Sequence, residues 1–233
     1  MNLYLWINLL CLAGPLFLSF DKKVHFYKYW KTLFPAILIV GSVFVAWDIY
    51  FIDVGVWGFH SDYPSKTLFF NLPFEKVIFF CTIPYAFVFI YETIKAYFPK
   101  LRPVRFSYYF SFLFTIIAVV LAIVYREHHY TFIALLSAGL INWIVYFGFT
   151  PRWYPFFILV FLITQIPLLI INGILAGALA EVPIIWYNET EIIGLHFFSV
   201  PVENIFYNFL LLFPIVIIHE YLFTLWEQKT KST

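Results

Sequence analysis

Seven stretches of this chain are long and apolar enough to cross a bilayer, and they limit the folds open to it more than anything else in the sequence. They run from about Leu3 to Phe20, Phe34 to Asp53, Pro73 to Phe98, Phe106 to Val124, Thr131 to Phe149, Tyr154 to Leu175 and Pro201 to Trp226. A hydrocarbon core is crossed by about 20 apolar residues in a helix. In lipid every backbone polar group must find an internal partner, so such runs become helices. Only 12% of the 233 residues are charged, about half the usual fraction of a soluble domain. The expected fold is therefore an all-α integral membrane protein with seven transmembrane helices. A net charge of +1 offers nothing to nucleic acid. Cys11 and Cys81 both fall inside apolar runs, which argues against a disulfide framework or a thiolate metal site. The start, MNLYLW, has no basic region ahead of the first run, which reads as a retained span. No Gly-rich phosphate loop follows a strand pattern, and no cofactor is expected.

The connectors are short and their charges lie unevenly. Lys22, Lys23, Lys28, Lys31, Lys100, Arg102, Arg105, Arg152, Lys229 and Lys231 fall on one side of a seven-span layout. The other side holds Lys66 and Arg126, with Lys76 at the start of the third span. The positive-inside rule then places the N-terminus outside and the C-terminus in the cytoplasm. A bacterial plasma membrane is the expected location.

The chain also repeats itself. NLPFEKVIFF, Asn71 to Phe80, returns as SVPVENIFYN, Ser199 to Asn208, 128 positions later. Pro73 aligns with Pro201, Glu75 with Glu203, and Glu92 with Glu220. Upstream, Trp57 lies near Trp186 and Asp48 near Asn172. Residues 1–105 and 131–233 read as two three-helix copies, with 106–130 as a linker span. An odd number of spans between copies gives them the same orientation, so parallel repeats about an axis along the membrane normal are expected. That arrangement would bring Glu75 and Glu203 to similar depth.

Each of these acids opens a helix that follows a proline, where a carboxylate also suits the helix dipole. Polar groups at membrane depth are functional candidates by default, and here the arrangement occurs twice. A carboxyl that delivers a proton needs a site from which water is excluded. Asp48 lies deeper, where it can pair with a lysine or enter a reaction cavity. Asn172 is read as an orienting group. Glu92 and Glu220 are expected to pair with Lys95 or the tail lysines at the cytoplasmic end. The histidines show no metal-ligand spacing and read as loop or interface residues. The 31 Phe, 17 Tyr and 8 Trp suit a membrane belt, and equally an aromatic cavity that tolerates a carbocation.

WDIYFIDVGVWGFHSDY, Trp47 to Tyr63, with NLPFEKVIFF and IPYAFVFIYE, resembles the first half of the heterodimer-type, non-flavin lycopene cyclases. NGILAG, Asn172 to Gly177, WYNETEIIGL and SVPVENIFYNFLLL resemble the second half, so the chain looks like the fused single-chain form. The resemblance implies redox-neutral cyclisation of lycopene ψ-ends to β-ionone rings, giving γ- or β-carotene. A proton adds to the terminal double bond, the cation is attacked within the molecule, and a second proton leaves. The family motif is met by Pro73, Glu75, Phe79 and Phe80, and again by Pro201, Glu203 and Tyr207. Lys76 and Asn204 stand where its second acid would be, and Ala176 where it has threonine. Glu75, Glu203 and Asp48 are then the expected reacting groups. Trp47, Trp57, Phe79, Phe80, Asn172, Trp186 and Tyr207 would line the polyene. Lycopene and membrane lipid are the expected partners, and a homo-oligomer is compatible with this layout.

Two related activities stay open on the same residues: a prenyl-adding carotenoid elongase and an ε-type cyclase. A transporter with three, one and three helices is the non-enzyme alternative, against which stand span centres of Phe, Ile, Leu and Val. A retinal-binding protein would need a lysine in the last span, and Ser199 to Trp226 contains none.

Overall fold

The computed structural model describes residues 3–60, 68–101, 103–179 and 182–232. Lys66, Arg102 and Glu181, three of the loop charges, lie outside them. The chain forms α1 (Leu3–Leu18), α2 (Trp30–Asp53), β1 (Trp57–Phe59), β2 (Leu68–Phe69), β3 (Leu72–Pro73) and α3 (Phe74–Tyr97). There follow α4 (Val104–Val124), α5 (His129–Phe149), α6 (Tyr154–Leu175), β4 (Ile185–Tyr187), β5 (His196–Phe197), β6 (Val200–Pro201) and α7 (Glu203–Ser232). A 3₁₀ turn, Phe26–Tyr29, leads into α2. The protein is thus an all-α membrane protein. Six helices are long and apolar enough to cross a bilayer, while α1, with 16 residues, reaches about 24 Å at 1.5 Å per residue. The seventh span expected over Leu3 to Phe20 is therefore the short one. In the turn that follows, the Asp21 carboxylate accepts the amides of Lys23 and Val24 at 2.9 and 3.1 Å, which hold its carboxyl below the usual range.

Two compact units divide the chain. The first holds Met1–Asp48, Ser65–Lys100 and Leu211–Thr233. In it α1 packs on α3, with Tyr4 edge-on to Phe79 at 5.9 Å. Asn8, buried in the apolar face of α1, donates to the carbonyl of Glu75 at 3.0 Å and accepts from Thr82 at 2.7 Å. At the other end of the pair Tyr85 meets Ser19 at 2.6 Å and accepts from Trp30 at 3.0 Å.

The second unit holds Ile49–Pro64 and Leu101–Leu210. Its α4 and α5 come close because the facing residues are small: Ala118, Ala122, Ala134 and Ala138 are completely buried, and a Cβ at Gly139 would sit 3.2 Å from that of Ala118. Small residues serve this purpose between helices in lipid, where no hydrophobic force draws them together. Asn142 fastens the contact, donating to Ser111 and Thr115, both at 2.9 Å, and accepting from Tyr154 at 2.6 Å.

Short strands lead into α3 and α7. In β2–β3 Leu68 faces Pro73 and Phe69 faces Leu72. In β5–β6 His196 faces Pro201 and Phe197 faces Val200. The two hairpins have the same register, 128 residues apart. Each turns through a phenylalanine in left-handed backbone, Phe70 at φ 53° and Phe198 at φ 51°, a conformation that costs a non-glycine residue about 1–2 kcal/mol. The hairpin before α7 lies on α6 at Gly173, where a Cβ would stand 2.6 Å from the Phe198 carbonyl oxygen and against the Phe198 ring. Gly173→Ala is therefore expected to cost about 1–3 kcal/mol through overpacking. It should lower the melting temperature in detergent, and a melting temperature equal to wild type would refute the contact.

Candidate active site

The sequence repeat places one acid in the first turn of α3 and one in the first turn of α7. They belong to different units, and their surroundings differ in kind.

In the first unit Glu75 is buried, as is Lys76 beside it. Asp48, in the last two turns of α2, is completely buried, and the Lys76 ammonium lies 3.3 Å from its Oδ2. The same ammonium stands 5.4 Å from the Phe79 ring centroid and 5.2 Å from that of Phe80, within cation–π range. Phe80 meets Phe44 at 5.9 Å, and Phe44 stacks on Trp47 at 6.1 Å. The structure thus brings Asp48, Phe79 and Phe80 together around Lys76, with Trp47 beyond Phe44. Asp48 is thus paired with a lysine, one of the partners the sequence allowed it.

In the second unit Glu203 is completely buried. Its Oε1 accepts the Thr131 hydroxyl at 2.6 Å and the Ile193 amide at 2.6 Å. Its Oε2 is buried and has no hydrogen-bond partner among the described residues. No lysine, arginine or histidine among the described residues forms an ion pair with it. One oxygen is therefore fixed as an acceptor and the other is left for a proton or a substrate. Neighbouring residues on α7 face a small cavity of about 70 Å³, lined by Gln165, Asn172, Pro201, Asn204 and Asn208 among others. Asn208 donates to Gln165 at 3.3 Å, and Asn204 to the Tyr187 hydroxyl at 3.3 Å. Asn172 thus belongs to a carboxamide cluster, while the Glu203 carboxyl engages α5 and the Ile193 loop. Tyr207, one turn on, is buried.

Trp57 and Trp186 lie on β1 and β4, which pair antiparallel, Trp57 opposite Tyr187 and Gly58 opposite Trp186. Trp57 is buried. Trp186 is exposed and covers Gly58, donating to the Phe59 carbonyl at 3.3 Å. It meets none of the other expected lining residues in these contacts.

Two features escaped the sequence reading. Thr131 lies 72 residues from Glu203 and carries no local mark of its role. His219, expected at a loop or interface, is completely buried. It meets Thr32 at 2.9 Å through Nδ1 and Glu92 at 3.2 Å through Nε2. Glu92 and Glu220 share Lys95, at 2.9 and 2.5 Å, the partner the sequence suggested, and Tyr91 donates to Glu220 at 2.5 Å. Both His219 and Glu220 of α7 reach α3, the first at Glu92 and the second at Tyr91 and Lys95.

The fold is thus an all-α membrane body with a buried acid in the first turn of each of two helices. The lycopene cyclase family model matches residues 1–94 and 127–222, well over half of the chain, and the chain belongs to that family. It is a membrane enzyme of carotenoid cyclisation, with a carotenoid substrate and a lipid surround, which answers the transporter alternative. No curated protein and no solved structure matches the chain.

The Lys95 pairs can be tested apart from any chemistry. Removing the cation leaves Glu92 and Glu220 facing one another, and breaking a fully buried pair costs about 3–5 kcal/mol. Lys95 retains 25% of its side-chain exposure, so Lys95→Met should cost less, about 1–3 kcal/mol, with Lys95→Arg partly restoring it. Thermal unfolding in detergent measures both.

Proposed function

We propose that the protein closes the ψ-ends of lycopene to β-ionone rings, as an intramolecular lyase or isomerase that needs no redox partner. The observation that carries this is the Glu203 carboxyl. It is fully buried, held through one oxygen by Thr131 and Ile193, without an ion-pairing cation among the described residues, and with its second oxygen open. A general acid that protonates a hydrocarbon needs such a carboxyl, fixed in direction and shielded from water. A competing water or nucleophile would capture the cation. Phe, Tyr and Trp faces stabilise positive charge without bonding to it.

In this reading Glu203 and Glu75 supply the proton that opens the terminal double bond. The resulting tertiary cation is attacked by the neighbouring double bond, which closes a six-membered ring and leaves a tertiary cation within it. Loss of a ring proton, taken by Asp48, restores neutrality. The aromatic residues Trp47, Trp57, Phe79, Phe80, Trp186 and Tyr207 and the amide of Asn172 are assigned to the polyene. The division into copies 1–105 and 131–233 about a linker span is part of the same proposal, and the matching registers of the two hairpins support it. So is the orientation with the N-terminus outside and the C-terminus in the cytoplasm of a bacterial plasma membrane, which rests on the basic loops. A homo-oligomer is compatible with it.

Glu203→Gln keeps the volume and removes the proton. In lycopene-making cells it should leave lycopene in place of β-carotene, with turnover down about 10²–10⁴-fold and the protein still inserted. Glu75→Gln should act in the same direction. If both variants yield β-carotene at wild-type levels, the acids are not the donors. An ε-ring product, or a longer prenylated one, would point instead to one of the two related activities.

A further inference from the structure

Lys76 has no role in the reaction described so far, yet its position is costly. It and Asp48 are both buried, and taking two opposite charges out of water is repaid only by close geometry and supporting contacts. Apolar side chains of similar volume would fill the same space at equal or lower cost. The pair also lies against two ring faces, with the ammonium 5.2 and 5.4 Å from the Phe80 and Phe79 centroids. One lysine therefore fixes both the carboxylate and its distance from the aromatic wall. Asp48 comes from α2 and Lys76, Phe79 and Phe80 from α3, so the ammonium is the link between a carboxylate on one helix and rings on another.

We propose that Lys76 is a positioning residue: it orients the Asp48 carboxylate beside Phe79 and Phe80 and keeps it an acceptor, so that Asp48 takes up a proton and does not supply one. This rests on the reading above, in which Asp48 receives the proton released at ring closure. The bonding electrons of the broken C–H bond then form the ring double bond, and the proton goes to a carboxylate oxygen. Lys76 exchanges no proton in this step. The two acids in the first turns of α3 and α7 are consequently not equivalent. The residue after Glu75 is committed to an ion pair, while the residue after Glu203, Asn204, donates to a tyrosine hydroxyl.

The test compares Lys76→Met, Lys76→Arg and the double variant Asp48→Asn/Lys76→Met, purified in lipid nanodiscs and supplied with lycopene. Two quantities are read: the split between kcat and KM, and the melting temperature. A misplaced reacting group costs about 10²-fold, so Lys76→Met should lower kcat by roughly that factor while KM changes less than about threefold. Lys76→Arg, which keeps the charge, should lose less. In the double variant both charges are gone, so the melting temperature lost in Lys76→Met should return while kcat stays low. A double variant that regains kcat along with its melting temperature would make the pair merely structural and overturn the proposal. So would an unchanged kcat in Lys76→Met. If Lys76→Met does not accumulate, the double variant decides alone, because it keeps the packing without the unpaired charge. Wild-type protein that leaves lycopene unchanged would remove the reading beneath the proposal, and the proposal with it, whatever the variants do.

Discussion

A polar group inside an apolar body must find its partner within the protein, and that requirement shapes this molecule more than any apolar contact. Lipid tails compete with Phe and Leu for one another almost equally, so burial of apolar surface does little to join helices in a membrane. The specific joins are made elsewhere. Asn8 ties α1 to α3, Asn142 ties α5 to α4 and α6, and Glu92, Lys95, His219 and Glu220 tie α3 to α7. Each would be expensive alone and is cheap only in its assembled partnership. Glu203 departs from the pattern by half: one oxygen is fully engaged, and the other has no such partner among the described residues.

That departure separates structure from chemistry. The Glu92 and Glu220 carboxylates accept from a lysine, a histidine and a tyrosine, contacts that hold α3 to α7. Asp48 carries an ammonium on one oxygen. Glu203 has donors but no cation among the described residues, and donors on one oxygen orient a carboxyl without committing the other. The carboxylates in these three settings thus differ in whether a cation, a hydroxyl or an amide holds them.

Much of the fold was legible beforehand. The 12% charge and the lengths of the runs marked helical spans, and Pro73 and Pro201 marked the starts of α3 and α7 to within a residue or two. The pairing of Lys95 with Glu92 was visible as a three-residue step along one helix. What was not legible depended on contacts distant in sequence. Thr131 reaches Glu203 across 72 residues, and nothing in HHYTF announces it. His219 read as an ordinary interface residue because its partners, Thr32 and Glu92, sit on other helices. The lone amide in WINLL could have been noticed, since Asn8 interrupts an otherwise apolar face. Asp48 could be seen to need a partner, and only distance could name Lys76. That Trp186 lies over Gly58 was not legible either, because an aromatic in a motif looks the same whether it lines a cavity or covers a glycine.

The pairing of β1 with β4 has a consequence of its own. Gly58 faces Trp186, 128 residues on, and the flanking pairs Trp57–Tyr187 and Phe59–Ile185 mirror one another about that centre. Exchanging the two strands by the repeat offset reproduces the same ribbon, as the self-complementary contact of a symmetric dimer does. A three-residue strand left alone would expose unpaired backbone groups. Each strand therefore supplies the backbone partners the other needs. Were the chain cut between α4 and α5, the fragments would still carry matching halves, which makes this ribbon the seam along which two separately made polypeptides could find their register.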